Sequence, residues 1–414
     1  MGDISSVPFD PSAEVLAIAQ RAQDEALCAE CFGRLFGRLG HGLTNPQRAE
    51  RIGEKLPGLV LRTGSECSLC RGAFDRVGIW VERVVRAGAG IEYRRFTCGS
   101  RWEPEDLARE EELGRRVGTP WAESIRSAFN RELGKKVEAA TGAAGGSERP
   151  DIVFLADLPV GQIHVTIQPL YLYGRYRKLD RTLPQTRWPC RACRGRGCER
   201  CGGTGKTYSE SVEEIVAAPI LRATGGEGTR FHGMGREDID ARMLGGGRPF
   251  VLEVRRPRRR SIDPAEIAAQ IPALSGGRVE VDGLRFADPV EVVRVKEATP
   301  EKSYRVVVLG EIPEAKVKEA LSLAVARTIA QRTPTRVAHR RSDRVRPRRI
   351  VTADLASWEP GRFAIELRTE AGTYVKEWVE GDGGRTEPSL AGTVGVPLKV
   401  ESLDVLEVHD THGV

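Results

Sequence analysis

The sequence lacks any long run of apolar residues. No stretch approaches the roughly 18 residues that a helix needs to cross a bilayer. The first ten residues, MGDISSVPFD, contain neither the basic region nor the apolar region of a secretory leader. We therefore expect neither membrane insertion nor secretion, and the sequence predicts a cytoplasmic protein.

Complete nucleotide-binding loops are also absent from the sequence. GGTGKT at 202–207 resembles a phosphate loop, but the full pattern requires glycine at the position that Arg200 occupies. The segment GMGRED lacks the third glycine of a dinucleotide fingerprint. The sequence thus predicts neither an NTPase nor an enzyme with an organic or nucleotide cofactor.

The length and composition are those of a folded protein with several domains. At 414 residues, with 40% hydrophobic and 29% charged residues, the chain is long enough for two to four domains with buried cores. Its 46 glycines and 24 prolines follow no repeat period. Collagen and wholesale disorder are therefore excluded in favour of a loop-rich globular protein.

The net charge of +6 is unevenly distributed along the chain. Residues 171–206 hold ten Lys or Arg against two acids, residues 255–260 hold five arginines, and residues 332–349 hold eight arginines against one aspartate. The rest of the chain is consequently acidic. Positive charge concentrated in a few segments is expected when a polyanion docks on a limited surface, although three solvated loops would have the same composition.

The first basic segment also contains three of the seven tyrosines. They alternate with cations in the sequence YLYGRYRK at 171–178. Aromatic rings among cations suit stacked bases and phosphates, so this segment is a candidate RNA contact. The alternative is a strand end whose tyrosines pack inward. The predicted contacts are Arg175, Arg177 and Lys178.

Eight of the nine cysteines form C-x-x-C pairs, and Cys98 alone is left over. Such a turn presents two sulfurs on one side, and two turns complete a tetrahedral shell that suits zinc. Redox dithiols are the alternative, but no βαβ context surrounds the pairs. We predict structural zinc, with one site in the first hundred residues and a separate knuckle near residue 195, while other pairings stay open. The candidate ligands are Cys28, Cys31, Cys67 and Cys70, and then Cys190, Cys193, Cys198 and Cys201.

Helices and strands alternate along much of the chain. Helical spacing of apolar residues predicts an amphipathic helix over 119–140, and the glycine-rich 141–150 punctuates it. From about residue 208, strands are separated by both hairpin-length and helix-length segments. This pattern predicts an α+β fold on a mixed or antiparallel sheet.

An acidic, glycine-punctuated turn precedes one of these strands. In the segment GMGREDIDAR, Glu237, Asp238 and Asp240 lie between Arg236 and Arg242. A carboxylate held beside arginines stays ionised and can act as a nucleophile or a base. An exposed acidic turn without a function would have the same sequence.

Segments spread in order along nearly the whole chain resemble archaeal tRNA pseudouridine synthases that modify the T loop. The resemblance implies a zinc-bearing, THUMP-containing accessory domain over 1–203 and a pseudouridine synthase catalytic domain over 204–414. It further implies a monomer that binds tRNA and converts uridines 54 and 55 without an organic cofactor. The matching segments are CFGRLFGRLGHGLTN, PLYLYGRYRKLDRTLPQTRWPC, SVEEIV, GREDIDARMLGGGRPF, YRVVV, RTPTRVAHRRSDRVR, AGTYVKEW and GDGGRTEPSL.

The resemblance also implies roles for individual residues. The segment GRED resembles the G-R-x-D loop of pseudouridine synthases, which makes Asp238 the catalytic residue and Asp240 the alternative. GTYVK at 372–376 resembles a strand whose basic residue, here Lys376, pairs with that aspartate. The predicted substrate-binding residues are Tyr304, Tyr374, Lys376, Arg236 and Leu403, and the predicted phosphate contacts of the third basic segment are Arg336, Arg340, Arg341, Arg344 and Arg346.

Two other functions are consistent with parts of the sequence. A zinc protein that only binds RNA or assists its assembly would share the basic segments and the cysteines. The repeated CxxCxGxG at 190–205 is similar to the zinc module of DnaJ-type chaperones, but the HPD-bearing helix of those proteins is absent. The chain-wide resemblance favours the enzyme over both alternatives.

Overall fold

The computed structural model describes residues 9–340 and 342–410 and divides into two compact units. The first unit ends at Gln168 and also includes Arg258–Arg260, whereas the second comprises Pro169–Pro257 and the chain from Ser261 onward. Within the described residues, no helix combines the length and apolar character required to span a membrane. The division differs from the boundary expected after residue 203, because residues 170–178 form a strand in the sheet of the second unit.

Over its described residues, from residue 9 onward, the first unit is a four-stranded sheet with six α-helices. Its strand order is β2-β1-β3-β4, in which β1 runs parallel to both of its neighbours and β4 runs antiparallel to β3. The elements are α1 (Ala13–Ala22), α2 (Ala29–Gly33), α3 (Asn45–Gly53), α4 (Val77–Ala87), β1 (Arg95–Arg101), α5 (Pro104–Val117), α6 (Ile125–Thr141), β2 (Ala144–Gly145), β3 (Ile152–Asp157) and β4 (Gln162–Ile167).

The core of the first unit is aromatic. Phe96 on β1 and Phe154 on β3 are fully buried and meet edge to face, with ring centroids 6.3 Å apart. Phe129 on α6 packs edge to face against the buried Trp102 at 5.5 Å. The predicted helix over 119–140 begins later, at Ile125, because the Ser124 side chain accepts a hydrogen bond from a first-turn amide and caps the helix.

The second unit is built on a ten-stranded mixed sheet with six helices. Its elements are β5 (Leu170–Lys178), α7 (Val212–Thr224), β6 (Gly228–Gly233), β7 (Arg242–Arg255), α8 (Pro264–Leu274), β8 (Val279–Ala287), α9 (Pro289–Glu297), β9 (Lys302–Leu309), α10 (Glu314–Val325), β10 (Thr328–Arg332), β11 (Val345–Glu359), β12 (Arg362–Thr369), α11 (Val375–Glu380), β13 (Thr386–Glu387), α12 (Leu390–Val394) and β14 (Lys399–Val408).

The strand order of this sheet is β13-β10-β11-β12-β9-β14-β7-β5-β8, with β6 paired to β7. The neighbours are antiparallel except β7 and β14, which run parallel and pair only at Arg242 with Asp404 and Met243 with Val405. This confirms the predicted α+β class with a mixed sheet. Because the two strands are paired over so short a stretch, the chain on either side of it diverges and leaves room for a cleft.

Candidate active site

A cleft of about 750 Å³ opens in the second unit beside the junction of β7 and β14. Its walls come from the β6–β7 turn, the start of β9, the segment 372–376 and β14. The predicted catalytic residue and all five predicted substrate-binding residues line it together: Asp238, Arg236, Tyr304, Tyr374, Lys376 and Leu403. Residues more than 160 positions apart in sequence are thus brought to one pocket.

Asp238 lies on the turn that leads into β7. Gly235 begins this turn with φ of 72°, a left-handed conformation that favours glycine, and the Ala241 amide closes it on the Asp238 carbonyl at 3.1 Å. The Asp238 side chain is 35% exposed and accepts a hydrogen bond from Arg336 Nη1 at 2.9 Å. The carboxylate is therefore fixed by a cation and still accessible from the cleft.

Lys376 makes its nearest contact with Asp240 and not with Asp238. Its Nζ donates to both Asp240 oxygens at 2.7 and 2.8 Å, and lies 3.9 Å from Asp238 Oδ2. Burial alone would raise the pKa of Asp240, but the bonds from Lys376 outweigh it and lower the pKa. Lys376 also lies in the first turn of α11, not on the strand expected from the GTYVK pattern.

Arg336 belongs to the cleft, although its sequence context pointed to a phosphate contact. Its Nε donates to Glu377 at 2.5 Å while Nη1 holds Asp238, and its guanidinium lies 6.0 Å from the centre of the Tyr374 ring. Burial opposes its charge, yet the two carboxylates prevail and raise the pKa of Arg336 above the ordinary value. The cation that hydrogen-bonds to Asp238 is thus Arg336, which the sequence predicted to contact phosphate and not to pair with this aspartate.

Tyr374 is positioned by a buried glutamine. Gln331, on β10, is 2% exposed; its Oε1 accepts from the Tyr374 amide at 2.8 Å and its Nε2 donates to the Tyr374 carbonyl at 2.9 Å. Both backbone groups of Tyr374 are therefore held by one carboxamide. This contact was missed by sequence reasoning, because a single glutamine in an alternating strand has no distinguishing pattern.

Tyr304 and Leu403 form the apolar wall of the cleft. They lie on adjacent antiparallel strands, with Tyr304 paired to Val405, which also lines the cleft. Burial raises the pKa of Tyr304 to about 12, against the opposing effect of Arg248, so its phenol stays protonated at neutral pH. A neutral ring beside two aliphatic side chains is suited to stack on a base.

Beneath the turn that carries Asp238 lies a buried polar network that the sequence did not reveal. Glu237 is fully buried; its carboxylate accepts from Arg248 Nε at 2.8 Å and from the Tyr176 hydroxyl at 2.8 Å. Gln185 Nε2 donates to the same hydroxyl at 2.8 Å and to the Gly235 carbonyl at 3.0 Å. The neighbour of Asp238 is thereby anchored, and the turn is held from below.

Lys178, predicted to contact RNA, is instead part of this network. Its side chain is fully buried, and Nζ donates to the carbonyls of Leu183, Asp238 and Ile239 at 2.9, 3.1 and 2.8 Å. Burial lowers the pKa of Lys178, against the effect of nearby Glu237. The prediction of a phosphate contact is wrong here, because β5 is paired on both edges, by β7 and β8, and the Lys178 side chain is turned into the core.

Arg175 and Arg177 are also engaged within the protein. Arg175 donates to the carbonyls of Gly246 and Gly247 at 2.7 and 3.0 Å, and Arg177 pairs with Glu280 at 2.6 Å and with Asp282. The two side chains are only 19% and 27% exposed, respectively. The inward-packing alternative for this segment therefore describes β5 better than the RNA-contact prediction.

The third basic segment is only partly described. Arg341 and the side chain of Arg340 lie outside the described residues. Arg344 is exposed, and Arg346 lines the cleft while donating to Thr333 Oγ1 at 3.1 Å. Arg348, which was not among the predicted contacts, lines the cleft as well.

Replacing Arg248 should destabilise the second unit by about 3–5 kcal/mol. Arg248→Met removes the only cation of the described residues that hydrogen-bonds to the buried Glu237 carboxylate and leaves Lys178 Nζ 3.9 Å away, and breaking a buried ion pair costs about that much. Arg242→Met on the same strand is the control, because its side chain is 40% exposed and Asp404 keeps Arg181 at 2.7 Å; the expected cost is about 1 kcal/mol or less. Urea unfolding measures both changes, and equal midpoints for the two variants would contradict the expectation.

The structure divides eight cysteines into two groups. Cys28, Cys31, Cys67 and Cys70 form one group, and the four cysteines of 190–201 form the other; within each group the four sulfurs lie within 4.8 Å of one another. The distances between neighbouring sulfurs, such as 3.7 Å from Cys28 to Cys70, match the separation of about 3.8 Å in a tetrahedral zinc site with bonds near 2.3 Å. The residues present therefore fit zinc in both places.

The second group is a double knuckle with internal symmetry. Amides of Gly197 and Gly205 donate to Cys193 and Cys201 Sγ, each at 3.2 Å, the kind of outer contact that supports a metal-bound thiolate. A Cβ on Gly205 would lie 2.4 Å from the Gly195 carbonyl oxygen, so the close approach of the two halves requires glycine. The four-residue spacer between the pairs is thus long enough.

Comparison with known proteins identifies the family to which the chain belongs. The family model described as "Pus10, C-terminal" matches residues 171–409, more than half of the chain, and that described as "Pus10 THUMP domain, archaeal" matches residues 80–157. A catalytic unit and a THUMP unit of these kinds define a pseudouridine synthase, which is an isomerase. The chain belongs to the Pus10 family.

Several relatives are similar over most of their length. Proteins named "tRNA pseudouridine synthase Pus10" are 43% identical in Methanothrix thermoacetophila, over 92% of this chain and 91% of the relative, and 44% identical in Methanothermobacter marburgensis, over 93% and 96%. The protein of that name in Methanopyrus kandleri is 40% identical over 93% of this chain and 96% of its own length.

Proposed function

We propose that the protein converts uridines 54 and 55 in the T loop of tRNA to pseudouridine, with Asp238 as the catalytic residue. The observation that carries this proposal is the cleft in which one accessible carboxylate, held at 2.9 Å by Arg336, faces Tyr304 and Leu403. The names of the relatives support tRNA as the substrate, and a tRNA-modifying enzyme acts where tRNA is found, in the cytoplasm.

The reaction needs one carboxylate and no organic cofactor. The bond from C1′ to N1 of uracil breaks, the detached base rotates, and a bond forms from C1′ to C5. The C5 proton leaves and N1 gains a proton, so the product is an isomer of the substrate. Asp238 can serve by attacking C1′, by adding to the base or by removing the 2′ proton, and all three routes require it ionised.

The surrounding residues have separate roles in this proposal. Arg336 orients the Asp238 carboxylate through a hydrogen bond of 2.9 Å, and Lys376 lies 3.9 Å from it. Tyr304 stacks on the uracil after the base has flipped out of the loop, while Leu403 closes the apolar side of the pocket. Tyr304→Phe, which keeps the ring, should therefore retain more activity than Tyr304→Ala.

Both cysteine groups are proposed to hold structural zinc. Four thiolates complete a tetrahedral shell and leave no position for a water molecule, so the metal stabilises the fold and does not act on the substrate. Cys28, Cys31, Cys67 and Cys70 would fix the start of the first unit. The ligands at 190–201 would fix the knuckle that projects from the second unit.

Arginines of the third basic segment, in and near the cleft, are proposed to contact tRNA phosphates. Each phosphate contact releases counterions, so Arg344→Ala and Arg348→Ala should each reduce the slope of log affinity against log salt by about 0.7–0.9. Arg177→Ala is the matched control, because its guanidinium pairs with Glu280 and should not alter the slope. Slopes that are the same for all three variants would contradict the proposed contacts.

Mapping of the product tests the proposed function directly. Unmodified tRNA is incubated with the protein, and mass spectrometry locates each new pseudouridine. We expect modification at positions 54 and 55 and at no other uridine. A tRNA that is bound but stays unmodified would favour the alternative, a zinc protein that binds RNA without catalysis.

A further inference from the structure

A second groove continues from the cleft toward the cysteine knuckle. It has a volume of about 470 Å³ and shares Asp238, Arg236 and Arg336 with the cleft as lining residues. Its other lining residues include Trp188 and Tyr208, which flank the knuckle in sequence. A strand of RNA whose target base occupies the cleft can therefore extend into this groove without leaving the protein surface.

The two aromatic residues form a rigid pair. Their ring centroids are 5.7 Å apart and the ring planes meet at 85°, an edge-to-face arrangement, and both residues are half-buried. An edge-to-face pair fixes the orientation of each ring while covering only part of their surface. Both residues also line the polar groove that shares Asp238 with the cleft.

The knuckle stem holds this pair in place. The Cys190 amide donates to the Gly205 carbonyl at 2.8 Å, and the Thr207 amide donates to the Trp188 carbonyl at 2.9 Å. Trp188 and Tyr208 thus lie at the base of a short antiparallel stem whose tip is closed by four cysteines. The stem therefore fixes the positions of the two rings before any ligand binds.

The stem is attached firmly to the catalytic unit. The Glu213 amide donates to the Gln185 carbonyl at 2.9 Å, and the Val212 amide to the Pro184 carbonyl at 3.0 Å, which joins the stem to the first turn of α7. Gln185 also bonds to Gly235 in the catalytic turn. Hydrogen bonds thus join the segment that leads into the stem both to α7 and to the turn that carries Asp238.

The continuity of the groove with the cleft favours a nucleic acid as its occupant. Arg236, Arg336 and Lys376 line the groove at the Asp238 end, where the carboxylates of Glu237, Asp238 and Asp240 balance their charge. In the knuckle, Arg191 and Arg194 are exposed. Two half-buried aromatic rings near exposed arginines fit a base and the phosphates next to it.

We propose that Trp188 and Tyr208 form a stacking platform for an unpaired base next to the target uridine. The inference rests on the proposed function, since it names the position of the neighbouring nucleotide. Flipping a base out of a folded loop removes it from the stack, so its neighbours lose a stacking partner. The platform replaces that partner and thereby stabilises the opened loop.

A double-mutant cycle between protein and RNA tests the platform. Dissociation constants are measured for wild-type protein and for Trp188→Ala, with unmodified tRNA and with tRNAs that carry a single abasic site at each position flanking the target. Loss of one stacked base corresponds to an affinity about 5- to 150-fold weaker. We expect Trp188→Ala to weaken binding of intact tRNA by this factor, and to have no effect when one particular flanking base is missing.

Controls separate stacking from folding. Trp188→Phe should recover most of the loss, whereas Phe286→Ala, which removes an exposed aromatic residue outside both cavities, should leave affinity unchanged. Zinc content and melting temperature are compared for every variant. If Trp188→Ala loses zinc, Tyr208→Ala takes its place in the same cycle.

Two results would overturn the platform. One is wild-type affinity for intact tRNA in both alanine variants. The other is that the alanine substitution weakens binding of every abasic tRNA as much as binding of intact tRNA. That result would show that the rings have only a structural role. Because the cycle uses dissociation constants, it is decided independently of product mapping, so a failure of the proposed reaction and a failure of the platform are distinguishable.

Discussion

Asp238→Asn should abolish pseudouridine formation while leaving tRNA affinity within a few-fold of wild type. The substitution keeps size and polarity but removes the charge that each proposed route requires, and a single positioned acid or base contributes up to about 10⁴-fold in rate. Binding depends mainly on phosphate contacts elsewhere, so it should persist. Single-turnover assays with unmodified tRNA measure the rate, and filter binding measures the affinity.

The matched control for this variant is Asp240→Asn. Asp240 is 67% exposed and bonds to Lys376, so its loss should weaken the positioning of Lys376 and reduce the rate much less than the loss of Asp238. The fold should tolerate Asp238→Asn, because Arg336 keeps Glu377 as a partner. If Asp240→Asn is inactive and Asp238→Asn is not, the catalytic role moves two residues; activity in both would refute a mechanism based on this turn.

Cys28→Ser should remove one zinc ion and unfold the first unit. Structural zinc bound by thiolates contributes an apparent 10–16 kcal/mol, roughly as much as the whole stability of a typical domain. The zinc content of the full chain, determined by metal analysis, should therefore fall from two ions to one. Limited proteolysis should cleave within residues 9–168 while the second unit stays resistant.

The control for the zinc prediction is Cys98→Ala. Cys98 is the one cysteine outside both groups, and it is buried in β1. Its replacement should leave both metals bound and cost on the order of 1 kcal/mol, the loss of a small buried group. Two zinc ions retained by Cys28→Ser, or a first unit that stays folded without its metal, would contradict the assignment.

The candidate site was predictable wherever a local pattern carried the chemistry. Paired cysteines at fixed spacing mark metal ligands, and the GRED turn places Asp238 after a glycine that the turn requires. The family resemblance added Tyr304, Lys376 and Leu403, which line the same cleft. These residues are identifiable because each belongs to a short motif whose chemistry depends on neighbours in sequence.

Burial of charged residues was not predictable in the same way. The YLYGRYRK segment has the composition of a surface patch. Yet Lys178 is buried and donates hydrogen bonds to three backbone carbonyls, and the buried Tyr176 hydroxyl donates to Glu237. Whether a strand is central or at an edge depends on which other strands pair with it. For β5 those partners are β7 and β8, which begin more than 60 residues later.

The sequence by itself determined the class of fold, the two cysteine groups that could hold a metal and the acidic turn, because each follows from residue types at short, fixed spacing. Only the tertiary structure decided that Arg336 is the partner of Asp238, that Glu237 and Arg248 support the turn from below, and that the knuckle places an aromatic pair beside the cleft. The physical reason is that a side chain's charge state and partners depend on burial and on contacts across the sheet. Those contacts join residues tens to hundreds of positions apart, and no local pattern encodes them.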